Sequence, residues 1–244
     1  MIDLRENVKI ILEDEDFLVV YKPSYLPTVP LKNDNKITLL SIVSEVYNEL
    51  TSFSGYSSWE SGVLHRLDNN TSGLVLIARN KKSFEYFLTL QKRGLFKKDY
   101  LATSKKESVR AKFFGDYPFI NPLESKREVI VESFFRYYGK NRSLVLPVLD
   151  SYSPLIVKKS TGFMYKTKVE FLKDDGINYV FSCSLTSGFK HQIRSHMAWS
   201  GFPLLGDLPY GGASSEIFGL EATSITFLNP KNDEEVIVDY RFQK

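Results

Sequence analysis

The sequence is poor in cysteine and lacks any long apolar run. Its one cysteine, Cys183, cannot form an intramolecular disulfide or a thiolate zinc cage, and its place in the strand-like run YVFSCSL predicts that it is buried. No uninterrupted apolar stretch is long enough to cross a bilayer, and the start MIDLRENVKI lacks the pattern of a secretory signal. We therefore expect a cytoplasmic protein that does not enter a membrane.

A strong excess of charge is also absent. The net charge of +3 is too small to indicate a nucleic-acid partner by itself. The chain of 244 residues is 43% hydrophobic and 25% charged, which excludes a disordered or fibrous protein. Its length fits one large domain or one domain with a small appendage. Any sign of an RNA partner has to come from local clusters of residues.

Short apolar segments between turn signals predict several hairpins. They are VKIILEDEDFLVVYKP, SITFLNPKNDEEVIVDY and YKTKVEFLKDDGINYVFSCSL, the last with its turn at Asp175-Gly176. GLVLIAR is apolar throughout and predicts a strand in the middle of a sheet. KKDYLAT predicts a further strand.

Helices are interspersed among these strands without regular alternation. We predict one from a Thr38 cap to about Leu50, one from an Asn80 cap to Gly94, and a short one in HQIRSHMAWSG. This order favours an α+β fold, with a central, mainly antiparallel mixed sheet and flanking helices. We expect a single domain over residues 1–244, with an irregular excursion at about 105–162.

A polar loop, HRLDNNTSG, precedes the apolar strand GLVLIAR. Its turn-forming side chains can satisfy nearby backbone groups and so hold the carboxylate of Asp68 firmly. Asp68 alone fits a turn cap, a salt-bridge partner, a general base or a nucleophile. The loop alone does not decide among these roles.

A second polar cluster begins the helix in SGFKHQIRSHMAWSG. A guanidinium such as Arg194 can form a forked pair with a carboxylate, and Asp68 is one candidate partner. The alternative is a helix start whose polar groups only cap backbone amides. A metal site is disfavoured, since His191 and His196 are five positions apart and do not share a helix face.

The strand KKDYLAT places Lys98 and Tyr100 on one side. A tyrosine there either belongs to the core or stacks on a flat substrate and exchanges a proton with it. Around this strand, from Arg79 to Lys98, basic residues outnumber the lone Glu85. Such a cluster is either a solvated face or a contact for phosphates.

Three of these segments together resemble one known family. HRLDNNTSGLVLIARN, KKDYLAT and SGFKHQIRSHMAWSGFPLLGDLPYG, in this order and spacing, resemble the RluA family of RNA pseudouridine synthases, and DEDFLVVYKPSYLPTVP resembles its entry strand and loop. The resemblance implies a pseudouridine synthase catalytic domain that isomerises uridine in RNA. It covers about Val8 to Tyr210 apart from the excursion, and no S4-type RNA-binding domain is expected before it.

The resemblance also implies roles for individual residues. Asp68 matches the catalytic nucleophile, Tyr100 the tyrosine that stacks on the flipped base, and Arg194 the arginine that pairs with the catalytic carboxylate. RNA contacts are expected from Arg66, His65, Lys98, Lys190, His191 and Gln192. The chain departs from the family at Phe189, where arginine is common, and at Glu221, where histidine is common.

No metal or organic cofactor is implied. We expect a monomer that acts on RNA, with ribosomal RNA favoured over transfer RNA. The alternative is a non-catalytic RNA-binding or ribosome-assembly protein on the same fold. A glycoside hydrolase would need a second well-placed carboxylate, and a nucleotide enzyme would need a Walker or GxGxxG loop; the matching motifs contain neither.

Overall fold

The computed structural model describes residues 4–30, 36–125 and 128–241. The chain forms two compact units, which we call unit 1 (residues 1–98 and 221–244) and unit 2 (residues 99–220). The single domain expected from the sequence stays a prediction.

Unit 1 is built on a mixed sheet with two helices. Its strands, numbered in chain order, are β1 (Lys9–Glu13), β2 (Phe17–Lys22), β3 (Ser72–Ala78), β9 (Leu220–Leu228) and β10 (Glu235–Asp239). Strand β2 pairs antiparallel with both β1 and β3. Strand β3 pairs parallel with β9, and β9 pairs antiparallel with β10. The helices are α1 (Leu39–Val46) and α2 (Lys81–Lys92).

Strand β3 fixes the position of the polar loop that precedes it. All of its residues from Gly73 onward are buried, as the apolar run predicts for a central strand. Gly73 has a φ of 120°, and a Cβ there would lie 2.1 Å from the carbonyl oxygen of Ala222. Only glycine permits this close approach of β3 to β9. Below the sheet, the rings of Phe17, Phe87 and Phe227 pack edge to face.

Unit 2 contains a second set of strands in the order β4-β8-β7-β5-β6. These are β4 (Lys97–Lys105, whose first two residues belong to unit 1), β5 (Val129–Tyr138), β6 (Leu144–Val148), β7 (Tyr165–Asp174) and β8 (Asn178–Leu185). Strand β5 pairs antiparallel with both β6 and β7, and β7 pairs antiparallel with β8. Helices α3 (Pro154–Val157) and α4 (Gln192–Trp199) complete the unit, and every residue of α4 is buried.

Most of the predicted elements are confirmed. The three hairpins and the central strand are present, Thr38 and Asn80 cap their helices, and Cys183 is buried in β8. The α+β class with a mainly antiparallel mixed sheet is confirmed as well.

Two predictions need correction. Helix α1 ends at Val46 rather than near Leu50, because the backbone at Tyr47 leaves the helical region and a 3-10 turn, Asn48–Ser52, follows. The stretch 105–162 is only partly irregular, because it contributes β5, β6 and α3 to unit 2. Within the described ranges, no helix is long and apolar enough to cross a membrane.

Candidate active site

The loop that carries Asp68 is held by hydrogen bonds on both sides of that residue. Thr28 accepts from the amide of Leu67 at 3.2 Å and donates to its carbonyl at 3.0 Å. The carbonyl of Asp68 accepts from the amide of Thr71 at 3.0 Å, which closes a turn. Asp68 itself is half-buried. The loop therefore presents a carboxylate from a backbone that is fixed before and after it.

A buried lysine, Lys22, supports the same loop from strand β2. Its ammonium donates to the carbonyls of Pro23, Leu26 and Asn69 at 3.0, 2.7 and 3.3 Å, and the residue is fully buried. Burial lowers the pKa of Lys22 to about 7, and the nearby carboxylate of Asp68 opposes that shift. The protonated lysine therefore places positive charge near Asp68 and ties β2 to the loop.

The start of the loop packs against a second buried lysine. The His65 ring contacts Phe96 at 5.2 Å between centroids, and the Lys98 ammonium lies 5.0 Å from the same Phe96 ring. Burial lowers the pKa of Lys98 to about 8. Burial and then the charge of Lys98 lower the pKa of His65 to about 3, so the imidazole is neutral at pH 7.

Arg66 extends from the loop toward solvent. Its side chain is 64% exposed, and one guanidinium nitrogen donates to the buried carboxylate of Glu60 at 2.7 Å. The ion pair anchors only one nitrogen of the guanidinium fork. This placement is compatible with the expected contact between Arg66 and RNA.

Glu221, one of the two departures from the family, pairs with the strand next to the loop. Tyr21 in β2 donates a hydrogen bond to Glu221 at 3.1 Å, and Glu221 lies opposite Ser72 in the parallel pairing of β9 with β3. Burial, followed by the charge of Glu221, raises the pKa of Tyr21 to about 12. Tyr21 therefore stays protonated at physiological pH and donates to the carboxylate.

In unit 2, Arg194 forms a forked ion pair with Asp207. The Nε atom of Arg194 lies 2.7 Å from one carboxylate oxygen and an Nη atom lies 2.8 Å from the other, and both side chains are buried. The guanidinium carbon lies 5.2 Å from the Tyr210 ring centre and 5.5 Å from that of Phe218. The predicted fork is present with Asp207 as one partner. Pairing of Arg194 with Asp68 stays a prediction.

The residues just before Arg194 are mostly held inside unit 2. Gln192 accepts from the Phe189 amide and donates to Lys166 and Thr167, so its amide is fully engaged. His191 has a left-handed backbone, with φ at 54°, and its Nδ1 lies 3.1 Å from the Tyr210 hydroxyl. Lys190 is exposed.

The predicted site residues differ in their access to solvent. Tyr100 is buried in β4 with 8% of its surface exposed. Lys98 and Gln192 are buried and His65 is half-buried, and they would have to become more exposed to contact RNA directly. Arg66 and Lys190 are already exposed. The catalytic and RNA-binding roles of all these residues stay predictions.

Phe189, the second departure, is a packing residue. Its ring is stacked on Phe135 at 5.3 Å with an angle of 8° between the planes. Nearby, the Nε2 and Nδ1 atoms of His196 lie 3.0 Å from the Ser133 hydroxyl and 2.9 Å from that of Thr167. His196 is therefore a satisfied interior histidine. Among the described residues, no group of three or more His, Cys, Asp or Glu could hold a metal ion.

Comparison with known families agrees with these motifs. The family model described as RNA pseudouridylate synthase matches residues 16–199, which contain Asp68, Tyr100 and Arg194. The chain belongs to this family. The resemblance seen in the sequence motifs is thereby confirmed.

Curated members of the family cover most of this chain. RNA pseudouridine synthase 7 of Arabidopsis thaliana is 28% identical over 205 residues, 84% of this chain and 45% of its own length. Ribosomal large subunit pseudouridine synthase D of Buchnera aphidicola is 26% identical over 214 residues, 87% of this chain and 58% of its own. An uncharacterized RNA pseudouridine synthase of Aquifex aeolicus is 30% identical over 223 residues, 86% of this chain and 58% of its own. The chain thus spans about half the length of these curated relatives.

A solved structure of the family has the same fold. Human RNA Pseudouridylate Synthase Domain Containing 1 has a TM-score of 0.65 at 21% identity, and the match covers 96% of this chain and 83% of that one. At this level of identity the likeness supports the fold alone.

Sequence reasoning missed three side chains around the predicted residues. Lys22 and Asp207 both lie inside the motifs that carry the resemblance, but nothing local distinguishes them from an ordinary strand-end lysine or turn aspartate. One signal for Asp207 was available: it is the first acidic residue after Asp175. Thr28 gave no signal, because its hydrogen bonds join residues 39 positions apart.

Proposed function

We propose that this chain isomerises uridine within RNA to pseudouridine, with Asp68 as the nucleophile. The observation that carries the proposal is a half-buried carboxylate on a doubly anchored loop, in a chain that belongs to the pseudouridylate synthase family. The ammonium of Lys22, which donates to the Asn69 carbonyl, places a cation beside that loop.

The chemistry requires one carboxylate and no external reactant. An oxygen of Asp68 forms an ester bond to the ribose C1′ as the bond from C1′ to N1 of uracil breaks. The uracil turns over, its C5 forms a bond to C1′, and the ester breaks to regenerate the carboxylate. The hydrogen of C5 leaves as a proton and N1 gains one, so atoms and charges balance.

Tyr100 and Arg194 keep the roles that the family resemblance implies. Tyr100 stacks on the flipped uracil and assists removal of the C5 proton. Arg194 holds a carboxylate in a fixed orientation, as it does with Asp207. A uridine in folded RNA must leave the base stack to be reached, and Arg66 fills the space that it vacates.

We propose ribosomal RNA as the preferred substrate. Support comes from a relative named for the ribosomal large subunit, although this chain spans only 58% of that protein. We further propose that the protein works in the cytoplasm as a monomer.

The test is tritium release from RNA labelled at C5 of uracil. Ribosomal and transfer RNA pools are prepared so that the host has introduced no pseudouridine into them. Each pool is then incubated separately with the protein. Release from the ribosomal pool supports the whole proposal, and release from the transfer pool alone supports the reaction but overturns the preferred substrate. Salt-sensitive RNA binding without release from either pool would favour the non-catalytic alternative.

A further inference from the structure

One face of unit 2 exposes aromatic rings on a packed aromatic layer. The aromatic surface consists of Tyr137, Phe163, Tyr165 and Phe189. Tyr165 and Phe189 pack on the buried ring of Phe135, Phe163 contacts Tyr165, and Tyr137 contacts Phe189. Tyr137 is 40% exposed and Phe163 is 56% exposed. None of these rings belongs to the residues to which a catalytic role is proposed.

The surface is built from three segments that hydrogen bonds hold together. Phe135 exchanges two bonds with Thr161: its amide donates to the Thr161 hydroxyl at 3.0 Å, and its carbonyl accepts from the Thr161 amide at 2.8 Å. The Thr161 hydroxyl also donates to the carbonyl of Phe163 at 3.0 Å. The Phe189 amide donates to the Gln192 side chain, which donates to the Lys166 carbonyl in β7. Because β5, the turn near residue 161 and the Phe189 segment are each held by hydrogen bonds, the rings form a preorganised platform.

Two cations flank the platform. The guanidinium carbon of Arg142 lies 4.1 Å from the centre of the Tyr137 ring, and the Lys190 ammonium lies 6.0 Å from the same ring. Lys190 also donates to the carbonyl of Arg142 at 3.3 Å. Arg142 has a φ of 56°, a left-handed conformation that costs energy in a residue with a side chain. A strained backbone at Arg142 thus places its guanidinium over the exposed ring of Tyr137.

Negative charge is absent from the segments that form the surface. Residues 133–149, 151–169 and 176–206 contain no aspartate or glutamate. In the described part of the chain, neither Arg142 nor Lys190 has a carboxylate within ion-pair distance. On the other face of the same sheet, by contrast, Lys166 pairs with Glu132 at 2.9 Å and Lys168 pairs with Glu128 at 2.8 Å.

We propose that the aromatic surface binds an unpaired base of the RNA, stacked on the exposed ring of Phe163 and bordered by Tyr137, while Arg142 and Lys190 contact its phosphates. Exposed rings beside cations without carboxylate partners are the combination that single-stranded nucleic acid requires, since every base has a face to stack and every nucleotide carries a negative charge. The inference rests on the proposed function for the identity of its ligand. It extends that function by naming a contact for RNA outside the reacting uridine.

The test compares binding of a labelled single-stranded RNA of about 12 nucleotides with binding of polyphosphate, a polyanion without bases. Tyr137→Leu and Phe163→Leu keep apolar surface but remove the rings. Tyr137→Phe keeps the ring, and Lys173→Ala removes an exposed cation beside Asp174 and Asp175, away from the aromatic surface. Thermal unfolding of each variant checks that the fold is retained.

We expect Tyr137→Leu and Phe163→Leu each to weaken RNA binding roughly tenfold, with polyphosphate binding unchanged. Tyr137→Phe and Lys173→Ala should bind RNA like the unaltered protein. Arg142→Ala should weaken binding of both ligands and lower the slope of log affinity against log salt by about one.

The proposal is overturned if the leucine variants bind the RNA as tightly as the unaltered protein, or if they lose polyphosphate binding equally. Retention by the leucine variants would indicate an apolar docking surface for a protein or a lipid instead. Failure of the proposed function gives a different result: no tritium release from any RNA, with the leucine variants still impaired in RNA binding.

Discussion

Units 1 and 2 hold their buried cations in different ways. In unit 1, Lys22 is surrounded by backbone carbonyls, and burial lowers its pKa to about 7. In unit 2, Arg194 is neutralised by both oxygens of Asp207. An arginine stays charged at any physiological pH, whereas a desolvated lysine does not. The charge of Lys22 beside the Asp68 loop thus depends on the pH near neutrality, whereas the charge of Arg194 in unit 2 does not.

Two histidines, the buried His196 and the half-buried His65, show a similar contrast. His196 in unit 2 has a hydroxyl at each ring nitrogen. His65 in unit 1 has its Nε2 atom 3.2 Å from the Leu74 carbonyl, but its buried Nδ1 has no hydrogen-bond partner among the described atoms. Buried polar atoms in folded proteins are nearly always paired. The polar loop of unit 1 is therefore the less satisfied region.

Breaking the fixed pair of unit 2 should have the largest effect on stability. Asp207→Asn removes the carboxylate that forms the buried fork with Arg194, and we expect a loss of about 3 kcal/mol or more in the free energy of unfolding. Lys81→Ala breaks the ion pair with Glu85, in which both side chains are mostly exposed, and should cost less than about 1 kcal/mol. Urea unfolding measures both losses. Similar losses for the two variants would contradict the view that the buried pair of unit 2 matters more for stability than an exposed pair.

Acid should destabilise the protein through its buried histidines. Burial lowers the pKa of His196 from 6.5 to about 3, so only the unfolded chain binds its proton between these values. This contribution to stability is complete above pH 6.5 and is lost as the pH falls toward 3. The slope is about 1.4 kcal/mol per pH unit at its steepest.

The measurement is urea unfolding at several pH values between about 6.5 and 5, above the usual carboxylate range. His196→Gln removes one titrating group but keeps a polar side chain. It should reduce the slope of the free energy of unfolding against pH by the equivalent of about one proton. An unchanged slope would show that His196 is protonated in the folded state.

Loosening the Asp68 loop should destabilise the protein less than Asp207→Asn does. Thr28→Val removes the hydroxyl that bonds both backbone groups of Leu67, and we expect a loss of about 1–2 kcal/mol. Thr51→Val removes an exposed hydroxyl and serves as the control. The rate of pseudouridine formation should fall for Thr28→Val with little change in RNA affinity. If the rate fell equally for Thr51→Val, the activity would not depend on the rigidity of the Asp68 loop.

Local signals in the sequence were sufficient for much of the fold. The caps at Thr38 and Asn80 and the turn at Gly176 depend on residues within a few positions of one another, and they were predicted. The strand β5 was not predicted, because its alternation is obscured by aromatic residues on both faces.

The candidate site shows the same division. The motifs around Asp68, Tyr100 and Arg194 gave the family, but not the partners of these residues. The lysine at the end of β2 resembles a surface residue until the folded loop covers it. Phe189 stood out in the sequence only as a departure from the family, and only the fold shows its stacking on Phe135, 54 positions earlier.

The central claim is that Asp68 carries the chemistry while other residues carry RNA binding. The most direct test measures the single-turnover rate of pseudouridine formation and the RNA affinity on the same Asp68→Asn protein. The account predicts a rate lower by at least ~10³-fold, because the amide is not a nucleophile, with an affinity similar to that of the unaltered protein. A variant that still forms pseudouridine at a comparable rate would contradict it.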